Sequence, residues 1–175
     1  MATPAHQPFI ELAQGDITVQ NVDAIVNAAN GSLNHGGGVA AAIARAAGER
    51  LHEESLRHPY IQTGDAGATS GGDLKARFVI HAVGPVWHGG EQRERELLSS
   101  AYRNSVAKAA ELGCQTVAFP SISTGIFGFP LELAAPVAIG AVQAGQREHP
   151  SVKLVRFCLF SDRDLAVYRR ALTAA

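Results

Sequence analysis

The chain has 175 residues, 46% of them hydrophobic, with 15 Lys and Arg against 16 Asp and Glu and a formal net charge of −1. A single domain spanning residues 1–175 is expected, long enough to bury roughly 70% of its unfolded surface. The balanced charge excludes a general nucleic-acid binder and a basic membrane-surface protein, but leaves room for one local nucleotide site.

In chain order, the apolar pattern alternates between short strand-like and longer helix-like segments. Phe9–Gln14 (FIELAQ) and Asp23–Ala28 (DAIVNA) predict strands. Val39–Leu56 predicts one helix, with Val39, Ile43, Ala46, Ala47 and Leu51 on one face and Arg45, Glu49 and Glu53 mostly opposite. Gly67–Gly72 (GATSGG) is a short strand at most, whereas Arg77–Val83 (RFVIHAV) is a strong one. ERELLSSAYRNSVAKAAELG predicts a long helix stopped at Gly113. Thr116–Pro120 (TVAFP) predicts a buried strand ended by its proline. A helix through LAAPVAIGAVQAGQ follows, with Pro136 in its first turn or kinking it. Lys153–Phe160 (KLVRFCLF) is the last strand, and SDRD at Ser161–Asp164 fits a capping box opening the final helix. This alternation predicts an α/β fold, a three-layer sandwich with a largely parallel central sheet and right-handed crossovers.

No apolar run approaches the ~20 residues that span a bilayer. The opening MATPAHQPF has no charged segment followed by an apolar core, so no secretory signal is expected. Cys114 and Cys158 lie in apolar, strand-like runs, and two buried thiols suit a reducing cytoplasm better than a secreted disulfide framework.

Four unusual stretches fall at carboxyl ends of predicted strands, where open α/β sheets place their ligands. GDIT follows the first strand, NAANGSLNHGGG the second and SISTGIFGFP the TVAFP strand, while Phe160 ends the last. One spread-out site accounts for them better than four independent loops. HGGGV and SISTGIFG each offer consecutive backbone N–H groups, an anion cradle that needs no Lys or Arg. Two facing cradles suit a diphosphate, although a glycine loop by itself more often marks a turn.

Asp16 either caps a turn or accepts the exocyclic N–H of an adenine. Phe160 either joins the core or stacks a base beside Asp16. Asn27 and Asn30 read as turn residues, with Asn30 alternatively holding a ribose hydroxyl or a water. His81, in an apolar strand, reads as a satisfied core residue. Neither His81 with His88 nor His52 with His58 has the Cys or carboxylate partners of a metal set. Glu91 to Glu96 reads as a solvated helix start, and Trp87 as packing a loop.

GDIT, VDAIVNAAN, GGGVAAAIARAAG, TGDA, VIHAVGPVWHGGE and AFPSISTGIFGFP run in order from about Glu11 to Asp162, nearly the whole chain. Together they resemble the macrodomain family, ADP-ribose-binding modules of which many hydrolyse ADP-ribose adducts. The resemblance implies an α/β/α sandwich with a mixed six- or seven-stranded sheet. It implies that Asp16 and the Ile17 amide read the adenine, with Phe160 stacking beside it. Gly36, Gly37, Gly38 and Val39, with Ser123, Thr124, Gly125, Ile126 and Phe127, would enclose the diphosphate and distal ribose. Asn30 would lie beside that ribose. Three glycines in a row would let the main chain touch the ligand where a Cβ would collide.

MacroD-like hydrolases read GGGGVDGAIHRAAG in this region. Here His35 replaces the first glycine, Ala40 the Asp and Ala44 the His, and Phe127 stands where those hydrolases carry Tyr. The HGGGVA form resembles archaeal and coronaviral macrodomains instead. The expected function is binding of ADP-ribose, free or on a macromolecule. Hydrolysis of mono-ADP-ribose held through an ester-like or glycosidic linkage, O-acetyl-ADP-ribose included, is expected to need no metal or cofactor. A water near Asn30, activated partly by the substrate's own phosphate, would attack, with His35 as a helper. A non-catalytic reader and an ADP-ribose 1″-phosphate phosphatase are the alternatives. A cytoplasmic monomer with no membrane partner is expected.

Overall fold

The computed structural model describes residues 9–175. The reading of MATPAHQPF as free of a secretory signal, and the start of the domain at residue 1, fall largely on residues 1–8 and so outside the described residues. Among those residues, strands and helices alternate as β1 Phe9–Gln14, β2 Ala24–Ala28, α1 Gly38–Ala47, α2 Glu49–Arg57, β3 Ala66–Ser70 and β4 Phe78–Ala82. They continue as α3 Glu94–Glu111, β5 Thr116–Phe119, α4 Leu131–Glu148, β6 Leu154–Leu159 and α5 Asp162–Ala174. A 3-10 turn at Ile17–Val19 follows β1.

The sheet runs β1-β6-β5-β2-β4-β3, and every neighbouring pair is parallel except β3 with β4. The sheet is mixed and mostly parallel, and its six strands fall within the six or seven that the resemblance implies. Its central strands β5 and β2 are buried almost throughout, since a parallel strand at the centre must be covered on both faces. Period-two alternation divides the core into two layers. Ala24, Val26, Ile80, Ala82, Val117 and Phe119 pack with α3, α4 and α5 on one side. Ile25, Val79 and Ala118 pack on the other side with Ile43, Ala47 and Leu51 of α1 and α2.

Three expectations need correction. The helix expected over Val39–Leu56 is two helices, broken at Gly48, whose φ is +83°. The N–H of Asp73 takes the Ala47 carbonyl at 2.9 Å, and the left-handed glycine turns the chain at that point. Pro136 lies in the second turn of α4, because the helix starts earlier than expected, at Leu131. Within the charged run before α3, Glu94 is buried at 1% exposure, its Oε1 accepting the Gln92 N–H at 2.7 Å. Its neighbours Arg93, Arg95 and Glu96 are exposed as expected.

Other local signals match the structure. Gly113, with φ +75°, ends α3. The Ser161 hydroxyl caps α5 by accepting the Asp164 N–H at 3.1 Å. Cys114 and Cys158 are both free and buried. No helix among the described residues is long and apolar enough to cross a membrane.

Candidate functional site

Because β1, β2, β4, β5 and β6 are all parallel, their carboxyl ends share one edge of the sheet. The segments leaving those ends enclose a cavity of about 1090 Å³. That is large for a mononucleotide and suits an elongated ligand.

Asp16 and Ile17, just past β1, line one end. Asp16 caps the 3-10 turn: its Oδ1 accepts the Thr18 N–H at 2.8 Å and the Thr18 hydroxyl at 2.7 Å. The hydroxyl first, then the N–H, hold the Asp16 carboxyl below its usual 3.8. Of the two alternatives read from the sequence the structure shows the turn cap, which uses Oδ1, while Oδ2 has no partner among the described residues. Phe160, just beyond β6, lines the cavity while 92% exposed, so it is not a core residue. Cys158 and Leu159 form the wall beneath it, where burial pushes the Cys158 thiol up to about 11.

The glycine loop forms the second wall. Gly36, Gly37, Gly38 and Val39 line the cavity, and their N–H groups donate to no described residue. They point from the start of α1, where the helix leaves its first N–H groups unpaired and adds its dipole. Only Gly38 has a left-handed backbone, at φ +58°. Gly37 is extended, at φ −166°, and a Cβ there would meet no protein atom within 4 Å.

Asn30 also lines the cavity, but its amide clasps the loop. Oδ1 accepts the Asn34 N–H at 2.9 Å, and Nδ2 donates to the Asn34 carbonyl at 2.9 Å. One amide hydrogen is left free.

Ser123, Thr124, Gly125, Ile126 and Phe127 form the third wall, again with N–H groups that donate to no described residue. Ser123 adopts φ +69°, and its buried hydroxyl has no described partner. Ile126 is 94% exposed. Trp87 supports this loop as expected, its backbone N–H donating to the Phe127 carbonyl at 2.8 Å and its ring centroid lying 4.6 Å from that of Phe129.

Asp16 and Asp164 are the charged residues of the lining, and no Lys, Arg or His is among them. Asp164, in the first turn of α5, is a site residue that the sequence reading passed over. Its role in the capping motif hid it, and only the approach of α5 to β6 brings it to the cavity. Ala40 also lines the cavity, whereas Ala44 packs against the core under α1. Among the described residues no group of three His, Cys, Asp or Glu side chains is placed to hold a metal ion.

His35 is the expected site residue that the structure places elsewhere. Its ring turns from the cavity into the protein, with Nε2 3.0 Å from the Ser55 hydroxyl and Nδ1 3.4 Å from Asn27 Nδ2. Burial, then the charge of His52, hold it below its usual 6.5. A helper in direct contact with a ligand is therefore not what this geometry provides. Asn27, read as a turn residue, is instead a fully buried member of β2. His81 is a satisfied core residue, with Thr69 Oγ1 2.9 Å from Nε2.

Residues 26–138 match the family model described as Macro domain. A Macro domain-containing protein of Chlorobaculum tepidum is 54% identical over 166 residues, 95% of this chain and 96% of that protein. A protein of Enterobacter cloacae named O-acetyl-ADP-ribose deacetylase is 46% identical over 171 residues, 95% of each chain. Among solved structures, the Oceanobacillus iheyensis macrodomain with ADP superposes with a TM-score of 0.90 at 38% identity, covering 99% of this chain and 95% of that one.

Proposed function

The chain belongs to the Macro domain family, and from that premise we propose that it binds ADP-ribose and hydrolyses ADP-ribose esters. The observation that carries the reading is one cavity of about 1090 Å³ lined by an exposed aromatic ring, a carboxylate and two runs of free N–H groups. Adenine stacks on Phe160 and donates its exocyclic N–H to Asp16 Oδ2. The diphosphate lies between Gly36–Val39 and Ser123–Phe127, where backbone N–H groups replace cationic side chains. The relative named O-acetyl-ADP-ribose deacetylase supports an ester substrate.

In the hydrolysis, Asn30 directs its free N–H to the distal ribose or to the attacking water. The water adds to the ester carbonyl, its proton passing to a phosphate oxygen of the substrate. Loop N–H groups stabilise the developing oxyanion, a contribution of about 10²–10³ in rate for each well-placed donor. The acyl–oxygen bond then breaks, the phosphate hands its proton to the departing ribose oxygen, and ADP-ribose and the carboxylic acid leave.

The test is incubation with O-acetyl-ADP-ribose, ADP-ribose 1″-phosphate, and aspartate-, glutamate- and nucleic-acid-linked ADP-ribose, scoring released product. Release from an ester supports the reading. Tight binding of ADP-ribose without release from any substrate replaces it with a non-catalytic reader. That second reading is favoured by Ala40, which puts a methyl group on the cavity wall where a carboxylate could have acted as base.

A further inference from the structure

Behind the glycine loop lies a buried polar cluster that binding in the cavity does not use. Asn27 of β2 is fully buried, with Nδ2 3.1 Å from Nδ1 of His81 on β4 and 3.4 Å from Nδ1 of His35 in the loop. An amide NH2 group carries two hydrogens and accepts none, so both imidazoles offer Nδ1 as acceptor. Each ring is thereby set as the Nε2–H tautomer. His81 then donates to Thr69 Oγ1 at 2.9 Å, and His35 to Ser55 Oγ at 3.0 Å. The two rings stack with centroids 5.4 Å apart.

We propose that His35 is a positioning residue: its neutral ring, hung between Asn27 and Ser55, latches the glycine loop so that the N–H groups of Gly36 to Val39 face the cavity. This rests on the reading of that cavity as an ADP-ribose site. His35 directly precedes Gly36, so no slack separates the latch from the cradle. The three glycines that follow have no side chains with which to anchor themselves, and glycine holds any one backbone conformation weakly. A proton on Nδ1 of His35 faces the Asn27 N–H donor to donor, which breaks the latch.

The titratable groups turned toward the two rings favour the neutral state. His52 of α2 would repel a charge on His35, and His35 and His58, which follows α2, would repel one on His81. Burial, then His35 and His58, bring His81 down to about 3, so His81 stays neutral throughout the range in which His35 titrates. Asn27, Ser55 and Thr69 carry no charge, and no carboxylate hydrogen-bonds either ring among the described residues.

The test combines calorimetry of ADP-ribose binding with amide NMR of wild type and His35→Gln, from about pH 8 to about pH 5. Glutamine can accept from Asn27 and donate to Ser55 but has no proton to gain. Wild-type affinity is expected to stay level until the His35 midpoint, which lies below the usual 6.5, and then to fall toward about tenfold per pH unit. The amide resonances of Gly36 to Val39 should shift with that same midpoint. His35→Gln should bind like wild type at the alkaline end and remain level in acid. An equal acid loss in His35→Gln, or loop amides that ignore the His35 midpoint, would overturn the latch. Failure of wild type to bind ADP-ribose at the alkaline end would instead sink the reading of the cavity, and the loop amides would still decide the latch alone.

Discussion

The buried Tyr102 of α3 accepts the N–H of Ile122 through its hydroxyl at 2.9 Å, holding from behind the loop that carries the second run of free N–H groups. Tyr168 of α5 adds a second support, its hydroxyl donating to Ser121 Oγ at 2.8 Å. The loop therefore owes its shape to two helices as well as to its own glycines. Tyr102→Phe leaves the Ile122 N–H buried and unpaired, which should cost about 1–3 kcal/mol in urea unfolding. ADP-ribose affinity should fall as the loop relaxes. Unchanged stability would show that the hydroxyl does not support the loop.

Asp16 caps the turn and, in the proposed pose, accepts from adenine, and two substitutions separate these roles. Asp16→Ala removes the turn cap, at about 0.5–2 kcal/mol of stability, and the acceptor for adenine as well. Asp16→Asn can keep the cap through its amide oxygen but presents NH2 in place of Oδ2. It should retain most of the stability while losing about 1.5–3 kcal/mol of ADP-ribose affinity in calorimetry. Because the Asp16 pKa is lowered on folding, the cap contributes fully above the unfolded value of 3.8. Its contribution is lost as pH falls through the lower folded value, so acid unfolding of Asp16→Asn should be less steep than that of wild type near that range.

The glycine run is divided by backbone conformation. Gly38→Ala places a Cβ on a residue at φ +58° and should cost about 1–2 kcal/mol. Gly37→Ala adds a methyl to extended backbone with no protein atom within 4 Å. Thermal unfolding should place it within about 0.5 kcal/mol of wild type. Any change in its ADP-ribose affinity then reports the nearness of the ligand alone.

Asn30→Ala removes both the Asn34 clasp and the free N–H that the proposed mechanism directs at the distal ribose or water. Single-turnover release of ADP-ribose should slow at least tenfold, about 1.4 kcal/mol in barrier. Affinity should change less, since only interactions stronger in the transition state raise the rate. Ala40→Asp places a carboxylate on the cavity wall and should speed release by about tenfold or more. Ala44→His should not, because Ala44 packs on the core side of α1.

The cavity's own charge sets a limit on its ligands. Asp16 and Asp164 line it without a Lys, Arg or His. In the proposed pose the adenosine ribose lies at the Asp16 end, so a 2′-phosphate there meets carboxylates rather than free N–H groups. ADP-ribose carrying a 2′-phosphate should bind about 1–2 kcal/mol more weakly than ADP-ribose, and added salt should narrow the gap. Equal affinity for the two would show that the ribose does not sit at that end.

The strand segments, the two glycine loops and the caps at Ser161 and Gly113 were legible in the sequence because each depends on local chemistry. Period-two apolar runs, consecutive N–H groups without side chains, and a serine three residues before an acidic helix position mean much the same in any fold. The clustering of Asp16, the glycine run, Ser123 to Phe127 and Phe160 was legible for a related reason. In a parallel sheet every strand end faces the same edge, so loops distant in sequence converge once the sheet is assigned.

What only the tertiary structure decided is where individual side chains point and what holds them. Gly48 divides the expected helix because Asp73, brought from the far side of β3, takes the Ala47 carbonyl. Glu94 is buried although its neighbours in the charged run stay in water. His35 faces Asn27 and Ser55 rather than the cavity, and Asp164 reaches the cavity only through the docking of α5. The break at Gly48 and the orientation of His35 depend on partners well removed in sequence, Asp73 and Ser55. Sequence periodicity records which face of an element is apolar, but a hydrogen bond of about 3 Å is settled by the packing of whole elements against one another.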